Sequence, residues 1–495
     1  MAEIIGAETE TRGKLKAIAS GTLSNGDTVV VNSDGTVSAV SATGESVTQT
    51  VGSAEVFESA STTVGAGVFD STNNKVVISY RDNANSGYGT AVVGTVDDTA
   101  ITFGSPVVFS SEDTAANFPI AGTFDSSNSK VVFAYQAGST AGKAVVGTVS
   151  GTSITFGSPV TFHSSRSFDV CATFDSTNNK VVIGFRSNSQ SEYGRAIVGT
   201  VSGTSISFGT SVVFNSAYSG NISCCFSPDA GKVVFTYRDE DGTNYGNAIV
   251  GTVSGTSISY GSEATFLSAP CEGSCSAYDT TSNKVVVGFK KRVSSTNKVF
   301  GAVVGTISGT SISFGSRLDT TKQVFGERLS ACYDSVADKT VFTFTENAGV
   351  YPLRASLGTV SGTSITGVGT LITISTVGDS TTSASSAVFD SNQKRNVISY
   401  GDGGNSRYGT SKILRNAYSG PNLTATNYIG ISSTSVADTE TATIDIIGTT
   451  NNAQSGLTAG QKYYVQNDGT LSTTADDPSV LAGTALSATK IVVKT

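Results

Sequence analysis

A single phrase returns seven times in this chain and restricts it to repeat architectures. It reads FDSTNNKVVISY at 69–80, FDSSNSKVVFAY at 124–135, FDSTNNKVVIGF at 174–185 and FSPDAGKVVFTY at 226–237. It continues as YDTTSNKVVVGF at 278–289, YDSVADKTVFTF at 333–344 and FDSNQKRNVISY at 389–400. The starts lie 55, 50, 52, 52, 55 and 56 residues apart. A period of this size marks a propeller or solenoid, whose single unit cannot bury its apolar face without neighbours.

Each repeat resolves into four strands. A short apolar strand ends at a Phe/Tyr-Asp pair, a polar DSTNNK turn follows, and KVVISYRD alternates with period two. AVVGTV supplies a third strand and, after a DDTA or SGTS turn, ITFGSPVVF supplies a fourth. β-branched and aromatic residues dominate, and no segment carries a helical apolar period. The expected fold is all-β: a seven-bladed β-propeller with four-stranded blades. The seventh repeat lacks a fourth strand, whereas VGSAEVFES (51–59) matches FGSPVVFSS (103–111) and precedes the first repeat. The N-terminal strand is therefore expected to pair with 409–414 and close the ring, removing open sheet edges.

Composition narrows the function classes. Only 14% of residues are charged and the net charge is −8, which argues against a nucleic-acid partner. No apolar run is long enough for a membrane helix, so no membrane insertion is expected. The start, MAEIIGAETETRGKLKA, lacks a secretory pattern, which implies synthesis in a cytoplasm. Cys171, Cys224, Cys225, Cys271, Cys275 and Cys332 cluster before the anchor aromatics and read as small packing residues. The sole histidine, His163, cannot supply a relay, and GxSxG, HExxH and phosphate-loop patterns are missing. No enzyme, cofactor or metal is expected. Asp239 and Asp241 resemble the front of a calcium loop, but its twelfth position is Val250.

Two flanks stand outside the repeats, giving expected domains at 1–45, 46–418 and 419–495, the outer two forming one β module. Leu23, Gly26, Val31, Asp34 and Gly35 align with Leu457, Gly460, Val465, Asp468 and Gly469, each set reading as turn, strand, Asp-Gly hairpin and strand. The tail from NYIGISSTSVADTETATIDIIG to the end resembles terminal modules of tailed-bacteriophage virion proteins, and GTLSNGDTVVVNSDGTVSAV is similar to half of that module. The resemblance implies a tail-fibre-like or head-decoration protein located in the virion. Its partners would be other virion proteins, with homo-oligomerisation through the terminal module.

The loops joining second to third strands differ between repeats, whereas the DSTNNK and SGTS turns do not. They bring Tyr88, Tyr193, Tyr245, Tyr351 and Tyr408 beside Arg81, Arg186, Arg238 and Lys290. Tyrosine offers stacking area with a hydroxyl and arginine a fork of donors, which suits a host surface glycan or protein. The combined expectation is a virion adhesin presenting this face. A capsid decoration protein without receptor binding is the alternative, and a glycan-cleaving enzyme is disfavoured.

Overall fold

The computed structural model describes residues 13–114, 120–189, 192–240, 242–378 and 384–494. Two compact units emerge: residues 49–416, which hold the repeats, and residues 1–48 with 417–495.

Within the repeat unit, the recurring Asp builds the turn that follows it. The Oδ1 atoms of Asp70, Asp125, Asp175, Asp279, Asp334 and Asp390 each accept two backbone N–H groups of their turn at 2.9–3.1 Å. All six are buried, so these bonds also satisfy the Oδ1 atoms. Each turn closes through a left-handed residue, Asn74, Ser129, Asn179, Gly231, Asn283, Asp338 or Lys394, with φ between 52° and 61°. Asn, Asp and Gly tolerate that conformation best, which accounts for the composition of the phrase.

The second strands are buried on both faces, because each feeds two cores. Val76, Ile78 and Tyr80 enter a core with Phe57 and Val397, while Val77 joins Phe133, Tyr135 and Val145. The seventh repeat packs in the same way against the sixth and against the first. Gly52, Gly104, Gly157, Gly209, Gly261 and Gly315 set the spacing between neighbours. A Cβ at any of them would strike the carbonyl oxygen of Thr99, Thr152, Thr204, Thr256, Thr310 or Thr363, respectively, in the next four-residue turn. Only glycine permits so close a backbone approach.

Hydrogen bonding corrects the expectation of a ring of seven separate four-stranded blades. Among the described residues the repeat strands form four antiparallel sheets of nine, five, nine and nine strands, and none of the four closes on itself. Three further sheets of five, two and five strands lie in the terminal unit, giving seven unequal sheets among the described residues. The physical reason is strand continuity. Glu55–Asp70, Val212–Ser227 and Leu318–Asp334 run 16, 16 and 17 residues, from the ladder of one repeat into that of the next, fusing two repeats into one sheet. The N-terminal strand does lie along the seventh repeat, with Glu55 opposite Ser411 and Val51 opposite Leu414. The sheet it joins is nevertheless open, ending at Val107–Asp113 and Ser385–Asp390.

In the terminal unit, strands from both flanks pair directly, with Lys14 opposite Asp445 and Val29 opposite Gly430. Val29, Ile444 and Val465 are fully buried. Along the last strands Tyr463, Val465, Ile491 and Val493 enter the core, while Tyr464 and Val492 between them are only partly buried.

Candidate functional site

The first strands of all seven repeats converge on one cavity of about 290 Å³. Its walls are small, because crowded strands leave room for little beyond Gly, Ala, Ser and Cys. The serines join neighbouring repeats: Gly67 N donates to Ser386 Oγ at 2.7 Å, Ser276 N to Ser223 Oγ at 3.1 Å, and Ala387 N to Ser330 Oγ at 3.0 Å. Cys171, Cys224 and Cys275 belong to the same walls, and all six cysteines are free thiols. Burial pushes the Cys275 thiol up to about 12, which suppresses the thiolate and its reactivity.

One wall position breaks this pattern. Five residues before five of the seven anchor aromatics stand Val64, Asp169, Asn221, Arg328 and Ala384, all lining the cavity. Asp169 and Asn221 adopt left-handed backbones, with φ of 49° and 51°. Both sit within register shifts of their strands, between Phe168 and Cys171 and between Gly220 and Ser223. A bulge re-aims a side chain, and non-glycine residues held in this region cluster at binding sites.

Beside Asp169 lies the most elaborate of the loop clusters. Arg186 Nε donates to Asp169 Oδ2 at 2.9 Å, and its Nη1 donates to Glu192. Its guanidinium stacks between Phe168 at 4.6 Å and Tyr218 at 4.5 Å. Burial alone would lower the Arg186 pKa, but Asp169 and Glu192 outweigh it and hold the cation above its usual value.

The other loop cations are also held by acids or carbonyls. Arg81 makes a forked contact with Asp113 at 2.8 and 3.1 Å, and Arg238 pairs with Glu240. Lys290 is buried, donating to the Gly326 carbonyl and lying 3.6 Å from Glu272. Tyr88, Tyr193, Tyr245 and Tyr408 each open a third strand and are half-buried. Three of them face Asp82, Asp239 and Asp402 across the ladder, and Tyr193 faces Tyr218. Tyr351 has φ 53°, and its ring lies 4.2 Å from that of Phe325. The structure thus distributes the tyrosines and cations among separate repeats and brings Arg186 onto the cavity residue Asp169. Asp241 lies outside the described residues, and Asp239 accepts from the Asn215 amide at 3.1 Å.

The cavity residues escaped the loop-centred sequence reading. Aligning the repeats on their anchor aromatics would have exposed Asp169, Asn221 and Arg328 as polar interruptions in otherwise small, apolar strands.

No family model and no curated protein matches this chain. Among solved structures, the BP39L lectin from Burkholderia pseudomallei matches with TM-score 0.54 and 11% identity, over 73% of this chain and 98% of that one. That likeness shows a shared fold. Sqt1 from Chaetomium thermophilum (TM-score 0.42, 11% identity, 80% and 100% covered) and a Dyadobacter fermentans protein of unknown function (0.43, 10%, 75% and 98%) are more distant. These findings correct the reading of the tail as a bacteriophage virion module, and with it the tail-fibre, decoration and virion-adhesin roles. The lectin whose fold this chain shares comes from a cellular organism, and the terminal pattern that carried the resemblance finds no counterpart among families or curated proteins.

Proposed function

We propose that this chain is a non-catalytic carbohydrate-binding protein that takes a single sugar residue at the shared cavity. The observation that carries this reading is the pair Asp169 and Asn221, held left-handed at equivalent bulges in successive repeats and lining one cavity. A carboxylate and an amide together offer acceptors and donors for vicinal hydroxyls. At about 290 Å³ the cavity lies at the small end of ligand pockets, which suits one compact polar ligand. The lectin fold-likeness supports the same class. The sole histidine is hydrogen-bonded to Ser187 at 2.8 Å, away from the cavity lining, so the site itself offers no imidazole base.

The test is a glycan array followed by titration of the best monosaccharide. Asn221→Gly keeps the backbone conformation while removing the amide, and Ala172→Leu fills the cavity. Each should weaken binding at least about tenfold, the equivalent of 1.4 kcal/mol, with the unfolding temperature unchanged. Binding that survives both substitutions, or no glycan bound at all, would reject the proposal. Release of new reducing ends would replace it with an enzyme.

A further inference from the structure

We infer that the terminal unit is two copies of one five-stranded module, that residues 49–416 are an insertion in the first copy, and that residues 473–479 are the matching insertion and display position in the second.

The two sheets have one topology. In the first, the strands are Lys14–Ile18, Thr28–Val31, Val37–Ala39, Tyr428–Ser432 and Thr441–Asp445. In the second they are Thr450–Asn451, Lys462–Val465, Leu471–Ser472, Val480–Ser487 and Lys490–Val493. Numbered along each module, both sheets are ordered 1-5-4-2-3.

Register and irregularities also agree. Thr28, Val29 and Val30 face Ile431, Gly430 and Tyr428, with a shift after Val29. Lys462, Tyr463 and Tyr464 face Thr484, Gly483 and Leu481, with the shift after Tyr463. A Cβ at Gly430 would strike the Asp445 carbonyl oxygen, and one at Gly483 the Val492 carbonyl oxygen. Gly26 N donates to Ser432 O and Gly460 N to Ala485 O, both at 2.8 Å. In the hairpins, Asp34 accepts from the Thr36 amide and hydroxyl at 3.0 and 2.7 Å, and Asp468 from those of Thr470 at 2.9 and 2.7 Å. Shared strand order, bulge, glycine and turn are four independent agreements, which one common module explains together.

The copies differ most in one connection, beyond a fourth-to-fifth link that spans 433–440 in the first and 488–489 in the second. Between the third and fourth strands the second copy has residues 473–479, and the first has residues 40–427, within which the repeat unit is compact on its own. That unit leaves and returns at paired residues, Thr50 opposite Arg415. Insertions succeed where the guest's ends are adjacent and the host loop is exposed. Residues 473–475, 477 and 479 are exposed, so the second loop meets the host condition.

In the full-length chain, a small independently folding domain with adjacent ends would be inserted between Thr474 and Ala475, and in a control between Asp468 and Gly469. The first variant should keep the thermal transition of the terminal unit within about 3 °C and display a folded guest, and the control should lose that transition. Loss in both, or tolerance in both, would overturn the display position. Gly430→Ala and Gly483→Ala in the full chain test the duplication itself. Both should lower the same transition to a similar extent, and a silent Gly483→Ala beside a disruptive Gly430→Ala would refute equivalence.

Discussion

Asp169 and Arg186 stand on paired strands of the third repeat, and their 2.9 Å bond couples the cavity wall to the loop outside it. The Arg186 side chain is 9% exposed and that of Asp169 18%, so removing the cation leaves a largely buried carboxylate without its partner, while Glu192, 32% exposed, keeps access to solvent. Arg186→Met should cost about 3 kcal/mol, the usual loss on breaking a buried pair. Arg186→Lys, which keeps charge but not the fork, should cost less. Urea unfolding measures both, and a change below about 0.5 kcal/mol for the Met variant would show that the stack is incidental.

The turn carboxylates give a comparison internal to the chain. Asp175→Ala removes a buried carboxylate that accepts from two N–H donors of a largely exposed turn and should destabilise by about 2 kcal/mol, as expected for hydrogen bonds to a charged group. The fourth repeat has Ser227 at the same position, so Ser227→Ala should cost less than half as much. Equal costs at the two positions would mean that the anchor residue works by packing and not by capping.

The glycines that face the next turn should be intolerant of a single methyl group. Gly157→Ala and Gly209→Ala each force a Cβ against a threonine carbonyl, so both should destabilise by about 2–3 kcal/mol. Gly151→Ala, in an open left-handed turn, should cost only about 1 kcal/mol. Differential scanning calorimetry of the three variants would reverse this order if the spacing between repeats were elastic.

His163 supplies a pH prediction with one reporter. Its partial burial, reinforced by Arg195, holds the imidazole below its ordinary pKa. The unfolded chain therefore takes up the proton first as pH falls. The associated stability should be fully present above about pH 6.5, the unfolded-state value. It should decline as pH falls toward the folded-state pKa. The single histidine resonance in a proton NMR titration should report a midpoint below 6.5, and His163→Asn should flatten the slope of stability between neutral pH and that midpoint. A midpoint above the ordinary value would contradict the sign.

Much of the fold was legible because its determinants are local. The Phe/Tyr-Asp anchor, the turn with its Asn or Asp before the Lys, and the period-two strands are written within twelve residues. How strands join into sheets was not legible, because it depends on whether backbone pairing continues through connections such as Val212–Ser227. The cavity residues were hidden for a related reason. Asp169 and Asn221 are ordinary loop-type residues until a bulge turns them inward, and the loop tyrosines look equally suited to binding. The hairpin alignment of Asp34 with Asp468 did mark the duplicated turn. Only strand order shows that the whole module, and not a half of it, is repeated.

Thr50 and Arg415 occupy the end of the ladder through which the chain enters and leaves the inserted body. Tension applied to the chain at those two points would load one residue pair at a time, beginning with this one. The body would then unzip from its junction at low force while the interior ladders, loaded later, still held. Its mechanical weak point is thus set by where it was inserted and not by how well its repeats pack.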